Sequence, residues 1–150
     1  MAWVYLTIEQ AVDIHAKTVA VSGGGLLGHK DVGILDSVLH HIQNDDYYPE
    51  FDSKLTHLFH SCCTFHCFDD GNKRIAITLS AQMLLFNGYM KSVTDFMRDA
   101  ENISYHVAAG CISKELLGRW MYAMLTGNLE DESLKLEILN AILECEDEPN

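Results

Sequence analysis

Nine consecutive residues, His66-Cys-Phe-Asp-Asp-Gly-Asn-Lys-Arg74, set a histidine, two carboxylates, an amide and two cations side by side. Folding alone does not ask for them all, because a helix start needs one capping group and a tight turn one glycine. If one helix closes at His66 and another opens at Asn72, a histidine faces a helix N-terminus across a glycine turn. Free backbone N–H groups and the positive end of the helix dipole attract an anion there. Lys73 and Arg74 add two full charges, and Asp70 offers a hard oxygen ligand for the Mg²⁺ that accompanies a nucleotide. His66 is then the candidate base for removing a proton from an attacking hydroxyl.

The elements that must position this stretch are helical. Thr7-x-x-Gln10 is a capping-box start, followed by Ile8, Val12, His15, Ala16 and Val19 at helical spacing, with Gly23-Gly24-Gly25 as the stop. A short helix fits Val32 to His41, and Asp52 caps a third with an inner stripe of Leu55, Leu58, Phe59, Cys62 and Cys63. One more turn of that stripe reaches His66 and points it inward. The run from Ile75 to Phe86 is apolar on almost all sides and ends at Asn87-Gly88, which suits the central helix of a bundle. Further helices fit Thr94 to Ala109, Ser113 (cap) to Thr126 and Ser133 to Cys145. The expected fold is all-α, with at most a small hairpin between Ser22 and Lys30.

The chain has 150 residues, one domain's worth, and its 48% hydrophobic content suits a globule with a single core. Its N-terminus shows no basic leader, and the longest uncharged run, Ile75 to Met90, is 16 residues broken by Thr78, Ser80, Gln82 and Asn87. That is too short and too polar to span a bilayer. Five cysteines without a CxxC pair or an export signal predict reduced thiols in the cytoplasm. The net charge is −12, of which Leu129 to Asn150 carries −7 through eight acids and one lysine. Such a balance argues against a nucleic-acid partner. Residues 1–128 are read as one domain and 129–150 as an acidic amphipathic tail helix. Its Leu134, Leu136, Ile138, Leu139, Ile142 and Leu143 pack on the domain or, alternatively, meet a partner or a second copy.

His66-x-Phe68-x-Asp70-Gly71-Asn72-Lys73-Arg74 matches every fixed position of H-x-F-x-[DE]-G-N-[GK]-R, the signature of the Fic/Doc family. Six or seven positions at about one in twenty each make a chance match on the order of 10⁻⁸ per window. Gly28 to Ser37 also resembles the segment that precedes the motif in the Doc branch, and the likeness extends over Leu6 to Leu125. The resemblance implies a Fic/Doc-like helical bundle around the motif helix, the Ser22–Lys30 stretch being its flap. Fic enzymes usually transfer AMP from ATP to a protein hydroxyl, and their motif reads G-N-G-R-x-x-R. Here Lys73 replaces the second glycine and Ile77 the last arginine. Doc-type toxins share both departures and transfer the γ-phosphate instead, acting as kinases of elongation factor Tu.

The resemblance therefore implies a Doc-like toxin of a toxin–antitoxin pair, a Ser/Thr phosphotransferase using ATP and Mg²⁺. His66 and Asn72 are its catalytic residues, Gly71, Asn72, Lys73 and Arg74 hold the nucleotide, and Asp70 holds the metal. A Fic-type AMP transferase is the alternative, as is a non-catalytic relative that acts by binding an antitoxin-like partner. Simpler roles compete at single positions: His66 as a core histidine on the helix dipole, Phe68 as an apolar pin, Asp70 as a cap. The helix dipole raises the pKa of His66, whereas Lys73 and Arg74 lower it. His57, His60, Cys63, His66 and Cys67 imitate a zinc set but wind around the helix. Gly23-Gly24-Gly25 lacks the Gly-Lys-Ser/Thr ending of a phosphate loop. Thr126-x-x-x-Glu130-Asp131 narrowly misses the inhibitory [ST]-x-x-x-E-[GN] pattern of some relatives.

Overall fold

A computed structural model describes residues 2–21, 32–65 and 72–147. Among them are seven helices and no strand: α1 (Ile8–Val21), α2 (Val32–His41), α3 (Phe51–Thr64), α4 (Asn72–Phe86), α5 (Met90–Ala108), α6 (Lys114–Leu125) and α7 (Glu132–Asp147). The all-α expectation holds. The hairpin expected between Ser22 and Lys30 lies outside the described residues.

The predicted capping box is present at α1: the Gln10 side chain accepts from Thr7 N–H at 2.9 Å and the Thr7 hydroxyl accepts from Gln10 N–H at 3.1 Å. The buried stripe behind it differs slightly from the one expected. Ala11, His15 and Val19 are buried, whereas Ala16 is exposed, so the inward face is rotated toward Ala11. α3 begins one residue before its expected cap. Phe51 is buried against the rings of Trp3 and Tyr89, at 4.8 Å each, and this draws the helix start forward so that Asp52 falls in the first turn. Glu50 is the N-cap, and the Ser53 hydroxyl receives its N–H.

α3 and α4 form the centre. α3 packs on α2, α4, α5 and α6, and α4 on α1, α3 and α5. Leu55, Leu58, Phe59, Cys62 and Cys63 are all buried as expected, facing Ile75, Leu79 and Met83 within the same core. Phe96 of α5 joins the core edge-on to Phe59 and tilted against Trp120 of α6. At the C-terminal end of α4, Asn87 accepts from Val4 N–H and donates to the Val4 carbonyl, which anchors the N-terminal segment to the central helix. Gly88 turns the chain at φ +84°, a conformation that favours glycine.

α5 starts at Met90 rather than Thr94, because only the turn at Asn87-Gly88 separates it from α4. α6 is capped by Ser113 as expected, whose hydroxyl accepts from Leu116 N–H at 3.1 Å. α7 starts at Glu132, one residue before the expected Ser133, where one Asp131 carboxylate oxygen accepts from the backbone N–H groups of Ser133 and Leu134. Cys111 and Cys145 are joined by a disulfide, which departs from the expectation of reduced thiols. Cysteines 34 residues apart are brought together only when α7 folds back over the α5–α6 turn, a proximity that spacing cannot reveal.

Candidate functional site

The chemistry-bearing stretch joins the two central helices. α3 closes with Phe65 as its C-cap, the Phe65 N–H bonded to the Ser61 carbonyl at 2.9 Å, and α4 opens at Asn72. His66, Phe68, Asp70 and Gly71 lie outside the described residues. Asn72, Lys73 and Arg74 form the first turn of α4, which holds no acidic residue. Two cations at the positive end of a helix dipole oppose local helix stability, and a bound anion offsets that cost. This turn therefore fits a phosphate-bearing ligand on its own donor chemistry.

Asn72 and Arg74 are half-buried and engaged with neighbours, whereas Lys73 is exposed. The positive charge of Lys73 reaches the end of α3, where it favours the thiolate of Cys63. Burial dominates at that thiol and pushes its pKa up to about 12, so Cys63 is an inert core residue rather than a nucleophile. Ile77, one turn beyond Arg74, packs against the core. A second arginine there would have to leave this apolar contact, so Lys73 and Arg74 are the cations of this part of α4.

The histidines of α3 have other engagements. The Lys114 ammonium donates to His57 Nδ1 at 2.8 Å while lying 5.8 Å from the Tyr48 ring centre, and His57 stacks on the same ring at 4.6 Å. Burial, then the charge of Lys114, hold the His57 pKa down to about 4, so the ring is neutral and accepts the bond. Burial and Lys114 also lower His60, and burial lowers Lys114 itself. Sequence reasoning did not find this cluster, because its members come from three separate segments. It also missed Lys54, a fully buried cation whose Nζ donates to the Ile42 carbonyl and to Asp45, both at 2.7 Å. Thr126 and Glu130 fall in the turn between α6 and α7, where Glu130 pairs with Lys135.

The fold and the turn together define an all-helical protein whose central helix opens on a cationic, phosphate-attracting N-terminus. The chain belongs to the Fic/DOC family, whose model matches residues 5–84. That span covers α1 to α3, the motif and α4 except its last two residues, less than the Leu6–Leu125 likeness expected, and leaves α5, α6 and α7 outside the match. No curated protein and no solved structure matches the chain. Membership brings a Fic-type protein-modifying function: the family generally transfers groups to proteins, and its enzymes use ATP, commonly with Mg²⁺. No helix among the described residues is long and apolar enough to cross a membrane.

Proposed function

We propose that this protein is a Doc-type phosphotransferase acting on a serine or threonine of a cytoplasmic protein. The observation that carries the reading is the first turn of α4, with Lys73 and Arg74 as its cations and an apolar Ile77 one turn later. By the family resemblance, a lysine at position 73 occupies space that an AMP transferase leaves for the α-phosphate. Its charge instead suits a phosphate held in the reverse sense.

ATP with Mg²⁺ would supply the γ-phosphoryl group, the bond to the β-phosphate breaking as ADP leaves. His66 would take the proton from the target hydroxyl, Asp70 would hold the metal, and the Asn72 amide would position phosphate or target. Lys73, Arg74 and the Gly71–Asn72 backbone hold the transferred charge at the helix N-terminus. Elongation factor Tu is the target, and an antitoxin the regulatory partner, that the Doc resemblance implies.

Intact-mass analysis of elongation factor Tu incubated with the protein, Mg²⁺ and ATP tests this reading. Phosphate adds about 80 Da and AMP about 329 Da. A gain of about 80 Da that disappears with His66→Ala supports the kinase. A gain of about 329 Da transfers the assignment to AMP chemistry, and no gain on this target removes the proposed substrate.

A further inference from the structure

α7 is held to the rest of the molecule by little besides a covalent bond. Leu134 is its one buried apolar residue among those described and Ile138 and Ile142 are half-buried, while Leu136, Leu139 and Leu143 are 57%, 50% and 47% exposed. The Arg119–Glu137 ion pair ties α6 to α7 with both side chains about half exposed, a geometry that contributes little. A groove of about 500 Å³ lies where α7 crosses the α5–α6 face, with Ile103 of α5 and Trp120 of α6 on one side and Leu134, Ile138 and Ile142 of α7 on the other. Beyond that exposed ion pair, the overall charge balance does not hold it closed. Residues 129–150 carry eight acids and one lysine in a chain of net charge −12, so self-repulsion favours separation.

The disulfide supplies what packing lacks. Cys145, in the last turns of α7, is bonded to Cys111 in the turn after α5. Both are partly exposed, whereas Cys62 and Cys63 are buried free thiols, so exchange at this bond does not compete with them. At the other end of the helix, Gly127 at φ +74° ends α6 and starts the short connection to α7.

We propose that the Cys111–Cys145 bond is a redox latch on α7: oxidised, it closes the helix over the α5–α6 groove, and reduced, it frees the helix and uncovers Trp120. The reductant is a dithiol. One of its thiolates attacks one sulfur to form a mixed disulfide and expel the other cysteine as thiolate, which takes up a proton. The second thiol of the reductant then displaces the remaining cysteine. The dithiol ends as a disulfide, and the two cysteines hold the two electrons and two protons. The latch does not depend on the transferase reading.

The test uses the full chain, air-oxidised or treated with dithiothreitol. Without reductant, denaturing alkylation should label two fewer cysteines than the five in the chain. Reduction should speed amide exchange in α7 by about ten-fold or more while α3 stays protected. In Trp3→Phe, where Trp120 is the sole tryptophan, emission should move to the red on reduction. Cys145→Ser should behave as the reduced protein with or without dithiothreitol. Labelling of all five cysteines without reductant would overturn the latch. So would unchanged α7 exchange on reduction, or α3 and α7 losing protection together, which would make the bond a staple of the whole fold.

Discussion

His57 and His66 differ in what a sequence can say of them. The motif around His66 is legible because its residues are contiguous and their spacing is fixed, whereas the partners of His57 are remote. Lys114 stands 57 residues away, and only the packing of α3 on α6 brings it to 2.8 Å. The consequence is a pH dependence. With a folded pKa of about 4 against the ordinary 6.5, His57 takes a proton in the unfolded chain before it does in the folded one, so stability falls as pH drops through that window. Urea midpoints should therefore fall between pH 7 and pH 5. Lys114→Met should raise the His57 titration midpoint seen by NMR, though burial keeps it below the ordinary value; a wild-type midpoint near 6.5 would contradict the burial argument. For His66 the expectation is catalytic: His66→Ala should cut transfer about 10²–10⁴-fold with little change in the urea midpoint. Full activity in that variant would remove the proposed base. Lys73→Gly should lose phosphoryl transfer without gaining efficient AMP transfer, since Ile77 remains apolar. A variant that phosphorylates at the wild-type rate would show that Lys73 does not select the reaction.

The sequence located all seven helices, because apolar periodicity and caps such as Thr7-x-x-Gln10 and Ser113 are local signals. Boundaries moved where distant packing intervened, as at Phe51, whose ring partners Trp3 and Tyr89 come from either side of the central helices. Lys54 shows the same limit. A lysine beside an apolar stripe reads as solvated, yet here it is fully buried, its ammonium tying α3 to the carbonyl at the end of α2. Burial by itself would depress its pKa, but the bonds to Asp45 and Tyr5 outweigh it and the net shift is upward, so the lysine stays charged. Lys54→Met keeps most of the packed stem and removes the donor. Asp45 remains hydrated at 76% exposure, so the principal loss is the buried Ile42 bond. The expected cost is about 1–3 kcal/mol, read as a lower urea midpoint with an unchanged slope. A midpoint equal to wild type would mean that water replaces the ammonium at the Ile42 carbonyl.

At the scale of the whole molecule, the family match and the architecture divide the chain differently. The match covers α1 to α3 and α4 except its last two residues, but α5 and α6 complete the core around Phe59, Phe96 and Trp120. The central helices α3 and α4 thus pack partly on helices outside the match, and the remaining helix, α7, is acidic and thinly packed. Composition made the acidity of α7 legible, while its disulfide depends on three-dimensional proximity and was not. This arrangement bears on nucleotide binding, because a strongly acidic chain repels ATP everywhere except where local cations prevail. On the proposed reading the first turn of α4, with Lys73 and Arg74, is such a place. A ligand that binds only the folded state at 100 times its Kd adds about 2.7 kcal/mol of stability, which for about 150 residues raises Tm by roughly 5–10 °C. ATP with Mg²⁺ should produce that rise in the wild type, and Arg74→Ala should lose most of it because a charged phosphate ligand is gone. Asp70→Ala should lose the part that requires Mg²⁺. No rise in the wild type at millimolar nucleotide would instead favour a non-catalytic relative that works by partner binding, whereas an equal rise in Arg74→Ala would place the nucleotide away from α4.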